Sequence, residues 1–222
     1  MEKNSLKLKA YQIIKNKILT CEFPPGMLLN EFLLCDMLSI SRTPVKDAIS
    51  RLEQERLVRI FPPKGVLVEP VTVTEVSSFA ETRLLFEPYL AQEYGKEITD
   101  QEFLEYEAFF TDPQCTNDPD AFLKSLSSFH SLFYERSFNP YLIQSFEQLK
   151  GQEMRILALT RLTPAQLTPL PSLYLKLIGL CRSRCWQEAS ESMKDVLCAG
   201  RDIIFTAFLD YLKQKGMLEN QK

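Results

Sequence analysis

The stretch Ser41-Arg42-Thr43-Pro44-Val45-Lys46-Asp47-Ala48 decides the fold of this 222-residue chain. Thr43-Pro44 reads as a helix start, a capping hydroxyl followed by proline at the first helical position. Val45, Ala48, Ile49 and Leu52 then recur at helical spacing and give the segment one apolar face, as far as about residues 54–56. Arg42 and Lys46 stand one turn apart on its polar side. The chemistry suits a helix whose first turn meets DNA. The Ser41 and Thr43 hydroxyls and the free N–H groups of a helix start can bind phosphate oxygens. Arg42 can hold guanine O6 and N7 with two hydrogen bonds. Lys46 can reach phosphate or a base, and Arg51 is expected at the backbone or in solvent. The same residues would also suit an ordinary capped surface helix, so the neighbouring segments decide.

Upstream, Leu8, Tyr11, Ile14 and Ile18 predict an amphipathic helix over about residues 6–20. Phe23-Pro24-Pro25-Gly26 ends it, and Asn30 is a good cap for a short helix over 31–38. Ser39-Ile40-Ser41 is then a tight connection. Downstream the period switches from helical to strand-like. Residues 57–61 and 65–69 are β-rich runs separated by Pro62-Pro63-Lys64, which reads as a hairpin. Three helices followed by a two-stranded wing make a winged helix-turn-helix over residues 1–70, with 71–74 as a linker. Beyond it only helix-length periodic segments occur, at about 74–94, 99–111, 118–137, 140–161, 164–182 and 186–215. The expected fold is therefore mainly α, with an all-helical antiparallel bundle over 75–222.

Composition agrees with this division. Glycine is scarce, at 7 residues, which favours helix. The net charge of −3 argues against a nucleic-acid binder until the chain is split. Residues 1–70 hold 11 Lys+Arg against 8 Asp+Glu, whereas 71–222 hold 15 against 21. A basic head on an acidic body is expected where one domain alone meets phosphate. No apolar run reaches the length of a membrane span. Met1-Glu2-Lys3-Asn4-Ser5 leads into a charged periodic segment rather than a secretory signal, so a cytoplasmic address is expected and no membrane partner. The 6 cysteines lack paired CxxC spacing and read as small buried hydrophobes, although Cys181 and Cys185 are spaced to meet on one helix. The aromatic-rich segments 103–110 and 129–141 read as packed core or subunit interface rather than a stacking platform.

The stretch from Tyr11 to Val68 resembles the GntR superfamily of bacterial regulators. The resemblance rests on Pro25-Gly26-Met27-Leu28-Leu29-Asn30-Glu31 and on the run from Leu38 through Ser41-Arg42-Thr43-Pro44-Val45-Lys46-Asp47-Ala48 to Leu52-Glu53. The wing adds Pro63-Lys64-Gly65-Val66-Leu67-Val68. It implies a DNA-binding dimer on double-stranded operator DNA, with Ser41, Arg42, Thr43, Lys46 and the wing pair Lys64-Gly65 as contact candidates. Two positions depart from the family pattern. Phe32 stands where an arginine is common, and Lys46 replaces an arginine, keeping charge but losing the two-pronged geometry. Both imply altered base readout rather than lost DNA binding.

The C-terminal half resembles the FCD domain of the FadR-like branch. Glu81-Thr82-Arg83-Leu84-Leu85-Phe86-Glu87 fits its opening helix, while Phe129-His130 with Asn139 and Leu142, and Ala189 with Met193, fit later motifs. Many such domains hold a divalent metal with an Asp and three His. This chain has one histidine, His130, and the other three ligand positions fall on Leu126, Tyr174 and Val196. One imidazole does not hold Zn²⁺ or Ni²⁺ usefully, so no metal cofactor is expected. The resemblance leaves Leu126, His130, Tyr174 and Val196 as the lining of a more apolar effector cavity. Arg83 is placed to meet the anionic group of a small, partly apolar organic effector. Against this, Arg83 can pair with an internal Glu and His130 can be a satisfied core histidine.

The reading is a homodimeric transcriptional regulator on an inverted-repeat operator, modulated by such an effector. A DNA-binding dimer whose helical domain no longer senses a ligand is the alternative. A helical enzyme is the distant one, since a single histidine and no nucleophile–base pattern leave no catalytic residues to name.

Overall fold

The computed structural model describes residues 2–217, with side chains from residue 5 onward. Met1, the first residue of the predicted domain 1–70, and residues 218–222 at the end of the predicted domain 75–222 lie outside the described residues. The chain divides into two compact units, Met1–Thr72 and Val73–Lys222.

In the first unit α1 (Glu2–Leu19) buries Ala10, Tyr11, Ile14 and Ile18 and packs on α3 (Arg42–Gln54). Asn30 caps α2 (Glu31–Leu38) by accepting from the Phe32 N–H at 2.8 Å. A left-handed Ser39 ends that helix and sets the turn into α3. Helix α3 starts earlier than the Thr43-Pro44 signal predicts. Ser41 is its N-cap and Pro44 the third helical residue, which a first turn tolerates because its N–H groups have no partner inside the helix. Pro44, Val45, Ala48, Ile49 and Leu52 form its buried face.

The predicted two-stranded wing has a third strand. β2 (Val58–Phe61) and β3 (Gly65–Val68) pair antiparallel, and β1 (Leu28–Leu29) adds to the other edge of β3 in the order β1-β3-β2. A strand of two residues is too short to show alternation, so only the pairing partner reveals it. Gly65 makes the close approach possible: its φ is +121°, and a Cβ there would lie 2.5 Å from the Leu29 carbonyl oxygen.

The second unit is helical throughout its described residues. It runs α4 (Val73–Tyr94), a 3₁₀ turn (Gly95–Glu97), α5 (Asp100–Thr111), α6 (Pro119–Arg136), α7 (Pro140–Thr160), α8 (Pro164–Leu167), α9 (Leu170–Arg182) and α10 (Trp186–Gln214). The helix expected over 164–182 is two, because Pro169 interrupts it and serves as the N-cap of α9. The long α10 packs along α4 and α9. Pro88 lies inside α4 and leaves the Leu84 carbonyl without its helical donor.

Phe103, Phe110, Phe122, Phe129, Phe133 and Tyr174 are buried in the core, whereas Phe138 and Tyr141, from the same aromatic-rich stretch, are exposed. Cys181 lies in the last turn of α9 and Cys185 is the N-cap residue of α10, so the two thiols do not share a helix. Cys115 and Cys181 are buried; the other four cysteines are partly exposed, which corrects the expectation of six buried thiols.

Candidate DNA-reading edge and candidate effector cavity

With one face of α3 buried, its other face presents Arg42, Thr43 and Lys46, all exposed, beside the exposed N-cap Ser41. The Ser41 hydroxyl makes no capping bond, so it stays available beside the free N–H groups of the first turn. Arg42 is held from both sides. Its guanidinium lies over the Phe32 ring at 4.9 Å, and its Nε donates to Glu31 Oε2 at 3.4 Å. Lys46 Nζ is 3.9 Å from the same oxygen. The first two residues of α2 therefore orient both cations of this edge, which sequence reading missed for Glu31 and had marked for Phe32 only as a departure.

Arg51 stands apart from this edge. Nine residues beyond Arg42, it projects from the opposite side of the helix. Its guanidinium sits 3.8 Å from the Tyr11 ring centroid, and Nε is 3.4 Å from Glu55 Oε1. Tyr11 donates to Glu55 Oε1 at 2.7 Å and Lys15 donates to Glu55 Oε2 at 2.7 Å, so Arg51 belongs to a cluster that ties α3 to α1. In the wing, Lys64 is exposed between β2 and β3, and its backbone N–H closes the turn onto the Phe61 carbonyl at 2.7 Å.

In the helical unit, Arg83, Leu126, His130, Tyr174 and Val196, from α4, α6, α9 and α10, line one cavity of about 50 Å³. Its polar end is a chain of contacts. Arg83 Nε donates to Glu87 Oε1 at 2.6 Å, and Nη1 donates to Glu153 Oε1 at 2.8 Å. His130 Nδ1 is 2.6 Å from Glu87 Oε2, a close contact rather than an aligned hydrogen bond, and Nε2 is 2.7 Å from the Tyr174 hydroxyl. Burial alone would raise the Glu87 pKa, but Arg83 and then His130 outweigh it and hold the carboxyl down at about 2. Burial works against the Arg83 charge too, yet Glu87 and Glu153 hold its pKa above the ordinary value. Burial pushes the Tyr174 hydroxyl well up, so it stays protonated. A carboxylate at Glu87 favours the proton on Nδ1, and the Tyr174 O–H then donates to Nε2.

Glu87 is one turn from Arg83 and could have been found by its i,i+4 spacing. Glu153, from α7, had no signal near Arg83 in the sequence.

These residues do not fit the family's metal. His130 is engaged at both nitrogens, and Leu126 and Val196 offer carbon where a ligand would stand. Among the described residues no group of three or more His, Cys, Asp and Glu could hold an ion.

Comparison with known proteins places both units. The family model of bacterial regulatory proteins, gntR family, matches residues 6–68, and that of the FCD domain matches 78–198. An uncharacterized HTH-type transcriptional regulator in the TAR-I ttuE-ttuC' intergenic region of Agrobacterium vitis is 37% identical over 78 residues, 35% of this chain and 46% of that protein. The HTH-type transcriptional repressor RspR of Escherichia coli (strain K12) is 27% identical over 97 residues, 44% of this chain and 42% of its own. The aligned stretches span less than half the length of either relative. Among solved structures, a GntR transcriptional regulator from Rhodococcus sp. RHA1 superposes with a TM-score of 0.75 at 17% identity, over 91% of this chain and 99% of that one. E. coli McbR/YncC superposes with a TM-score of 0.74 at 20% identity, over 91% and 98%. At such identities the superpositions establish the shared fold.

Proposed function

The chain belongs to the gntR family of bacterial regulatory proteins and carries an FCD domain; from that premise we propose that it acts in the cytoplasm as a homodimer on an inverted-repeat operator and responds to a small molecule bound in its helical unit. The observation that carries the DNA reading is the edge of Ser41, Arg42, Thr43 and Lys46 at the start of α3, with the two cations oriented by Phe32 and Glu31. A recognition helix enters the major groove N-terminal end first, so this turn meets base edges while Lys64 of the wing meets the backbone.

Dimerisation is supported by α4, which leaves Leu85 and Tyr89, one turn apart, 69% and 54% exposed. Such an apolar pair suits a second copy of the chain. The effector reading is supported by a cavity that is apolar over most of its wall and polar at one end. A ligand that fits one spacing of the two DNA-binding heads better than another shifts operator affinity by that difference.

The test is selection of duplexes from a random library with the full chain, followed by affinity measurement over a salt series. Enrichment of an inverted repeat, with affinity falling linearly in log salt, supports the reading. Selection that enriches no duplex above random sequence overturns it.

A further inference from the structure

We propose that the cavity of the helical unit takes a cationic ligand, an amine or amidinium carried on an apolar body, with Glu153 as its counter-charge. This rests on the reading of that cavity as the effector site and reverses the charge that Arg83 alone would lead one to expect.

The cavity's charged lining is Arg83, Glu153 and Arg201. Arg201 is exposed and paired with Asp202 at 2.8 Å, so Arg83 and the carboxylates around it set the charge of the inner end. Two carboxylates share Arg83: Glu87 takes Nε and Nη2, and Glu153 takes Nη1. The three groups together hold one net negative charge. Even a proton on His130, beside Glu87, brings them only to neutrality.

The two carboxylates are also unequal. Glu87 is 1% exposed, and both its oxygens are engaged, by Arg83 and His130. Glu153 lines the cavity with its side chain 17% exposed, and only its Oε1 is bonded, to Arg83. Its Oε2 has no hydrogen-bond partner among the described residues, and Glu153 shares the cavity wall with the apolar Leu126, Leu157, Leu162, Val196 and Ile204. His130 and Tyr174 satisfy one another.

An organic anion entering here would lose its water, meet a guanidinium already shared by two carboxylates, and face Glu153 at close range. A cation of the same shape would give Glu153 Oε2 a charge-assisted donor in a poorly solvated place. The five carbon-lined positions would hold its apolar body.

The experiment is calorimetric titration of the full chain with three probes that share one six-carbon tail: hexylamine, 1-hexanol and hexanoate. Hexylamine is expected to bind at least about tenfold more tightly than hexanol, with hexanoate weakest. Glu153→Gln, which keeps shape and loses charge, is expected to bring hexylamine to within about threefold of hexanol. Gly200→Leu fills the cavity from α10, where an added Cβ meets nothing within 4 Å, and is expected to abolish binding of every probe. Hexanoate binding as tightly as hexylamine, and lost in Gly200→Leu, would overturn the charge assignment and leave the effector cavity standing. Binding of no probe, or binding untouched by Gly200→Leu, would overturn the cavity reading and the proposal with it.

Discussion

His130 Nε2 and the Tyr174 hydroxyl lie 2.7 Å apart, joining α6 to α9 across the core of the helical unit. With Glu87 on its other nitrogen, the imidazole is fixed as a structural link between three helices.

Metal addition should therefore leave the protein unmoved. Chelator-stripped protein titrated with Zn²⁺ or Ni²⁺ is expected to keep its melting midpoint, because both His130 nitrogens already have partners and no group of three or more His, Cys, Asp and Glu stands together among the described residues. A saturable rise in the midpoint would refute this.

The Arg83–Glu87 pair should dominate acid stability. Glu87 has its folded pKa lowered from 4.5 to about 2, so its contribution is present in full above the unfolded value and fades as pH falls toward the folded one. Wild-type stability is expected to fall between about pH 5 and pH 2, and Glu87→Gln to flatten that fall. At neutral pH, Glu87→Gln should cost about 3–5 kcal/mol, since it leaves Arg83 buried with one carboxylate fewer. Urea unfolding across pH reads both effects.

At the DNA-reading edge, Arg42→Ala should cost about 1–3 kcal/mol on the selected operator and relax preference at one base pair. Lys46→Ala should weaken all duplexes alike and lower the salt slope by about 1. Phe32→Ala removes the ring under Arg42 and should reproduce part of the Arg42→Ala loss, with the salt slope unchanged. Equal losses on operator and random DNA for Arg42→Ala would remove it from base readout.

Gly65→Ala should loosen the wing. The backbone there has φ +121°, and the added methyl would meet the Leu29 carbonyl oxygen at 2.5 Å, so β1 or β3 must shift. A cost of about 1–3 kcal/mol in the unfolding of the N-terminal unit is expected, with weaker operator binding at temperatures where that unit still folds. Unchanged unfolding and affinity would show that the β1–β3 contact is dispensable.

Cys181 should be chemically silent. Burial pushes its thiol up to about 12, so almost no thiolate exists at neutral pH. Iodoacetamide at pH 8 followed by peptide mapping should label it only after denaturation, while the partly exposed Cys21, Cys35, Cys185 and Cys198 react in the native protein. Native labelling of Cys181 at a comparable rate would contradict its place in the core.

By itself the sequence determined the elements and their order, because those are set within a few residues. Caps such as Asn30, breakers such as Pro140 and the spacing of Ile14 and Ile18 or of Val45, Ala48 and Ile49 act over one or two turns. The same local chemistry marked Arg42 and Lys46 as exposed cations in the first turns of α3. What it left to the tertiary structure depends on groups far apart in the chain. Two-residue β1 exists only because β3 offers it an edge, and the partners that Arg51 finds, Tyr11 and Glu55, come from α1 and from just beyond α3. Arg83 meets Glu153 across 70 residues of sequence, and His130 meets Tyr174 across 44. Propensity and periodicity carry no information about such pairs. They form because a buried charge or ring nitrogen must find a partner, and packing alone decides which one stands within reach.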